Sequence, residues 1–212
     1  MLTKDEIQVL FDSNTTIRGK KEMADFAIHA YRFLLLSDLR PGELLGLQWR
    51  DIKGDALTVS QSLTDDREIS RGKNENARRT IKLIPAAVEE LRQQKLMLKM
   101  CGVMSPYVFP AEDGMYITQE NFRVRWQRYC ISNGIGYRGK SKSGKHDRYI
   151  TPYEFRHTSF SINKKMPDGL KKMAFGHSRT FNGDSVYSHE MAGDLEVIAE
   201  YTEKAFDEIL EK

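Results

Sequence analysis

The chain has 212 residues, 40% apolar and 30% charged, with a net charge of +3. These values suit one globular domain, or one large and one small lobe, and set aside disordered and collagen-like classes. No run approaches the ~20 apolar residues that span a bilayer, and the opening Met1-Leu2-Thr3-Lys4-Asp5-Glu6 has no signal-peptide pattern. Cys101 and Cys130 are the only cysteines, with no CxxC or Cys/His cluster. That argues against a disulfide framework or a zinc site and for a reducing, cytoplasmic setting.

Thr3 and Glu6 have the spacing of a capping box and open a predicted helix over about 4–12. A second helix is predicted from about Lys20 to Ser37, with Phe26, Ala30, Phe33 and Leu34 on one face. Pro41 fixes its own φ and biases Arg40 away from helix, so Asp38-Leu39-Arg40-Pro41-Gly42-Glu43 breaks it. A short helical turn from Glu43 to Leu47 follows. The clear β signal is alternation at Leu57 and Val59 and again through Arg79-Thr80-Ile81-Lys82-Leu83. Residues 56–84 therefore read as a small antiparallel sheet of about three strands.

Pro85 opens a helix to about Met100. Tyr107-Val108-Phe109 reads as a short extended piece before a turn at Asp113-Gly114. Thr118 caps a helix bearing Phe122, Trp126, Tyr129 and Cys130 at helical spacing. Residues 134–149, rich in Gly, Ser and Lys, read as a mobile loop. Thr151 is placed as the cap of a further helix with Pro152 at its first position. Pro167 starts a short helix ended by Gly176, and Gly193 precedes a last amphipathic helix with Leu195, Ile198, Ala199, Phe206, Ile209 and Leu210. The expected class is α+β, mainly α, with one small antiparallel sheet.

A net charge of +3 is too small to identify a nucleic-acid partner, but the distribution says more. Arg71, Lys73, Arg78, Arg79 and Lys82 crowd one segment; Arg138, Lys140, Lys142, Lys145 and Arg148 crowd another. On composition alone, solvated loops and phosphate-tracking loops fit equally well. Four separated motifs carry the chemistry. They are Leu39-Arg40-Pro41-Gly42-Glu43; Lys73 ahead of Arg78-Arg79-Thr80-Ile81; Tyr153-Glu154-Phe155-Arg156-His157-Thr158; and Gly176-His177-Ser178 followed by Val186-Tyr187-Ser188-His189.

In order and approximate spacing, from about residue 20 to about residue 190, these motifs resemble the catalytic domain of the tyrosine recombinases, the phage-integrase family. The resemblance implies the DNA breaking-rejoining fold and a site-specific recombinase that works without ATP, metal or other cofactor. It implies Tyr187 as nucleophile, giving a 3′-phosphotyrosyl enzyme and a free 5′-hydroxyl. Arg40 and Arg156 would grip the non-bridging oxygens, since a guanidinium is a permanently charged planar fork suited to phosphate. Glu43 would orient Arg40. Lys73 would be the general acid for the leaving oxygen, and His177 would donate to a non-bridging oxygen. Arg71, Arg78, Arg79, Lys140, Lys142 and Lys145 would be DNA-phosphate contacts.

Two departures stand out. Tyr153 occupies a position where most members carry histidine, and a phenol with pKa near ~10 is a poor base at neutral pH. Tyr187 follows His177 by ten positions, about one more than the commonest spacing. Tyr153 and Arg156 are expected on one helix face, with His157 structural. Tyr201 lacks comparable neighbours and reads as packing.

The resemblance further implies double-stranded DNA as partner, a homotetramer on DNA, and accessory DNA-bending or directionality factors. Residues 1–212 would form one catalytic domain lacking the family's N-terminal core-binding domain, so weak DNA affinity is expected. The helix over 193–212 would dock on a neighbouring protomer or pack in cis. Three rival readings remain: a catalytically impaired DNA-binding regulator of a partner recombinase, which Tyr153 favours; a topoisomerase-like swivelase; and a protein-only interaction domain, which leaves the four motifs unexplained.

Overall fold

The computed structural model of the protein describes residues 1–64, 69–70, 79–175 and 193–210. The first helix, α1 (Lys4–Asp12), carries the predicted capping box. Glu6 N donates to Thr3 Oγ1 at 3.2 Å and Thr3 N donates to Glu6 Oε2 at 2.8 Å. Where one long helix was predicted from Lys20, the chain instead forms a hairpin, β1 (Thr15–Arg18) and β2 (Lys21–Ala24), before α2 (Ile28–Leu36). Gly19, with φ +68°, makes the turn. The hairpin rests on the C-terminal turn of α5 (Gln119–Asn133): Ile17 N donates to Ser132 Oγ and Asn133 Nδ2 to Thr15 O.

Nearly every residue of α2 is buried, including Tyr31, Phe33, Leu34 and Leu35, as expected of a helix surrounded by other elements. Its one interior cation, Arg32, donates to the carbonyls of Leu10, Phe11 and Ser13 at the end of α1. These contacts satisfy carbonyls that a helix terminus leaves open. Tyr31 also joins a ring cluster with Phe122, Trp126 and Tyr129, and Trp126 packs edge-on against Phe155 at 4.7 Å. The Trp126 indole N–H donates to Ile150 O at 2.8 Å, so its polar tip is paired inside the core.

Pro41 begins α3 (Pro41–Gly46), which a 3₁₀ turn at Trp49–Asp51 follows. The predicted small sheet is present as β3 (Ile52–Lys53), β4 (Ala56–Val59) and β7 (Arg79–Lys82), in spatial order β3-β4-β7 and antiparallel throughout. A separate pair, β5 (Ser62–Leu63) and β6 (Ile69–Ser70), leaves its edge. The helix α4 (Pro85–Met100) has the predicted bounds, and Thr118 caps α5 by accepting from Asn121 N.

Residues 134–149 are not a plain loop. They form the hairpin β8 (Tyr137–Lys140) and β9 (Asp147–Tyr149), with Tyr137 opposite Tyr149. The next helix, α6 (Glu154–Ile162), starts later than predicted, with Tyr153 at its cap position. Thr151 does not cap it; its N–H and hydroxyl both donate to Glu154 Oε2. Beyond it lie α7 (Asp168–Ala174) and α8 (Asp194–Leu210). The last helix packs in cis: Phe206 is fully buried, Gln8 Nε2 donates to Ile209 O, and Lys165 pairs with Glu208. Cys101 is exposed and Cys130 buried, both as free thiols. No helix among the described residues is long and apolar enough to cross a membrane.

Candidate active site

Three arginines from separate elements converge around one buried carboxylate. Arg40 precedes Pro41 in extended conformation and becomes the cap residue of α3. This places Glu43 one turn later, where its Oε2 accepts from Arg40 N at 2.8 Å and its Oε1 from Arg40 Nη1 at 2.9 Å. The predicted orienter is therefore in contact with its guanidinium. Arg79 enters from the sheet. In the β4–β7 register it lies opposite Val59, two residues from the Leu57–Ile81 pair. Alternation along the strand thus turns Arg79 toward the interior rather than toward solvent.

Both Arg79 terminal nitrogens donate to Glu43, each at 2.9 Å. With 11% of its side chain exposed, Arg79, expected as a DNA-phosphate contact, is paired with Glu43 in the interior. Burial raises the Glu43 carboxyl, but the Arg79 hydrogen bonds and the charges of Arg79 and Arg40 outweigh it. The net result is a pKa lowered to about 2.

Arg156 comes from the first turn of α6 and is 6% exposed. Its Nη1 donates to the backbone carbonyl of Asp38, and its guanidinium lies over the Phe175 ring at 5.3 Å. Its Nη2 is buried and makes no hydrogen bond among the described residues. Burial, then the neighbouring charges of Arg40 and Arg79, lower the Arg156 pKa to about 10, so it stays protonated at neutral pH. A buried, charged donor without an acceptor is costly in a finished interior.

Tyr153 and Arg156 stand three residues apart at the start of α6, but their side chains differ in burial. Tyr153 is 53% exposed at the cap position, whereas Arg156 points inward. The Tyr153 ring instead meets His157 edge-on at 5.5 Å. His157 is exposed beside it, not in the core. Tyr153 also lines a groove of about 450 Å³ with Pro41, Thr118, Gln119, Phe122 and Arg123. In the second basic segment Lys140 pairs with Asp147 at 2.7 Å and Arg138 with Glu6. Lys142 and Lys145 are exposed at the tip of the β8–β9 hairpin. Tyr201 is half-buried on α8. Lys73, His177 and Tyr187, with Arg71 and Arg78, lie outside the described residues.

Sequence reasoning missed Asp38 and Ser159. In the sequence Asp38 is only part of a helix break; in the fold it is buried, with its carboxylate accepting from the Ser159 hydroxyl. Ser159 stands three residues after Arg156 on α6, a spacing that puts both on one face and was the available signal.

The model of the phage integrase family matches residues 1–192. The chain belongs to the phage integrase family. Among solved structures, the Tn1549 transposon integrase in complex with circular intermediate DNA is 20% identical with a TM-score of 0.64, over 94% of this chain and 66% of that one. The lambda integrase catalytic core is 16% identical with a TM-score of 0.56, over 84% of this chain and 94% of that one. The XerA recombinase is 16% identical with a TM-score of 0.57, over 94% and 63%. The likeness shows the integrase catalytic fold, α+β and mainly helical. This integrase-family chain spans just under two thirds of the length of the Tn1549 integrase chains. Comparison with curated protein sequences gives no match.

Proposed function

We propose that residues 1–212 form one catalytic domain of a site-specific DNA recombinase, or integrase, that cleaves and rejoins strands through Tyr187. The observation that carries this reading is the buried guanidinium of Arg156, beside Arg40 and Arg79, with one nitrogen left without an acceptor among the described residues. A phosphodiester supplies that acceptor. Fixed donors aimed at its non-bridging oxygens stabilise charge that grows in the transition state.

In this reading Tyr187 attacks the scissile phosphorus, its phenolic proton passing to solvent water as the O–P bond forms. The bond to the 5′-oxygen breaks, and Lys73 gives that oxygen its proton. Arg40, Arg156 and His177 hold the non-bridging oxygens, and Tyr153 takes the place of the family's histidine at the groove. Attack by a 5′-hydroxyl of another strand reverses the chemistry. Bond energy stays in the phosphotyrosyl link, so ATP has no part, and guanidinium charge takes the role a metal ion would fill. The partners are double-stranded DNA, three further copies of this chain on two duplexes, and accessory DNA-bending or directionality factors.

A second reading, a catalytically impaired regulator that binds DNA for a partner recombinase, draws on the outward turn of Tyr153 toward His157. A pool of nicked suicide duplexes with randomised central sequence separates the two. The chain is expected to yield denaturant-stable protein–DNA adducts, and Tyr187→Phe none. Adducts that persist in Tyr187→Phe move the nucleophile elsewhere. DNA binding without any adduct favours the regulator.

A further inference from the structure

Asp38 is the one described residue other than glycine with positive φ, at 56°. It directly follows the cap residue Ser37 of α2, the helix-ending position where glycine is easiest to place. A carboxylate there is unfavourable twice over. Its Cβ crowds the left-handed backbone, and its charge faces the negative end of the α2 dipole. Asp38 is also buried, at 6% exposure, so water does not compensate the charge.

What it touches accounts for its presence. The Asp38 side chain accepts from the Ser159 hydroxyl, and its backbone carbonyl accepts from Arg156 Nη1. Ser159 and Arg156 lie one turn apart on α6, so two side chains of one helix face grip both the main chain and the side chain of one residue. That residue is two positions before Arg40. We infer that Asp38 and Ser159 are positioning residues for Arg156, a clamp that fixes the turn bearing Arg40 against the helix bearing Arg156.

The clamp rests on the recombinase reading for its purpose but not for its existence. Its left-handed backbone presents the carbonyl to Arg156, and the carboxylate–hydroxyl bond keeps that backbone from rotating away. Burial raises the Asp38 carboxyl and outweighs the Ser159 hydrogen bond and the charges of Arg156, Arg79 and Lys171, which lower it, for a net value of about 6. These are the groups that face it from α6, β7 and α7. Near neutral pH the carboxylate therefore stands as an acceptor.

The variants Asp38→Gly, Asp38→Asn and Ser159→Ala in the full chain separate positioning from folding. Glycine suits the backbone at 38, so Asp38→Gly is expected to keep or raise the thermal midpoint. Rotation of the Arg156 guanidinium, read by ¹⁵N NMR without DNA, is expected to quicken about tenfold in Asp38→Gly and Ser159→Ala and to stay near wild type in Asp38→Asn. With the duplex recovered by adduct selection, both loosened variants should form adduct about tenfold more slowly at saturating DNA. DNA affinity should hold within about twofold. Unchanged guanidinium rotation in Asp38→Gly or Ser159→Ala overturns the clamp, as does an Asp38→Asn variant that behaves like glycine. A wild-type chain that forms no adduct overturns the recombinase reading alone, because the NMR result still decides the clamp.

Discussion

Glu43 carries two guanidiniums, and at the scale of single residues this makes its ion pairing a store of stability that only strong acid removes. Its carboxyl is lowered from an ordinary 4.5 to about 2. The sign follows from linkage: the stabilisation is full above pH ~4.5 and is lost as pH falls toward ~2. Glu43→Gln should therefore cost about 3 kcal/mol at pH 7, with a deficit that shrinks in acid. Urea unfolding at pH 7 and pH 3 measures it, and a deficit equal at both would count against the charge pairing. Arg40 and its partner Glu43 were legible because they stand three positions apart at the start of a proline-started helix. Arg79 was not, since basic residues crowd residues 71–82 and only the register opposite Val59 shows that it turns inward. Lys73, His177 and Tyr187 keep only their sequence assignments.

Between elements, the close approach is that of α3 to β5. A Cβ added at Gly42 would stand 2.6 Å from Leu63 O and 2.7 Å from Ser62 Oγ. The backbone oxygen has little room to retreat, so Gly42→Ala should lower stability by about 1–3 kcal/mol. It should also displace Arg40 and Glu43, its neighbours on α3. Thermal unfolding checks the first; a cleavage defect at saturating DNA checks the second, and a variant as stable as wild type would contradict the packing. Among the elements themselves, long helices were read well because their caps and periodicity agree, as at Thr3, Pro85 and Thr118. The two hairpins were missed for separate reasons. Lys20-Lys21-Glu22-Met23-Ala24 has good helix formers, and it is strand here because Ser132 and Asn133 of α5 bind its partner β1. Residues 137–149 have loop composition, and their pairing depends on the Tyr137–Tyr149 ring contact across the strands.

For the molecule as a whole, the basic groups divide into two populations. Arg32, Arg79 and Arg156 are interior and bound to protein groups. Lys142 and Lys145 stand exposed on a hairpin tip. If the tip lies along DNA, each lysine neutralises about one phosphate. The double variant Lys142→Ala/Lys145→Ala should then reduce the slope of log affinity against log salt by roughly 2. Adduct formation at saturating DNA should stay unchanged. An unaltered slope in a salt titration removes the tip from the DNA interface.

The guanidinium cluster also has a consequence in electrical stoichiometry. Arg40, Arg79 and Arg156 bring three positive charges, and Glu43 and Asp38 two negative ones at neutral pH. Lys171, which faces Asp38 from α7, adds a fourth positive charge, so the balance among these described groups is two positive charges. In the recombinase reading that surplus exceeds the single charge of one phosphodiester, so a seated diester leaves the nucleus net positive.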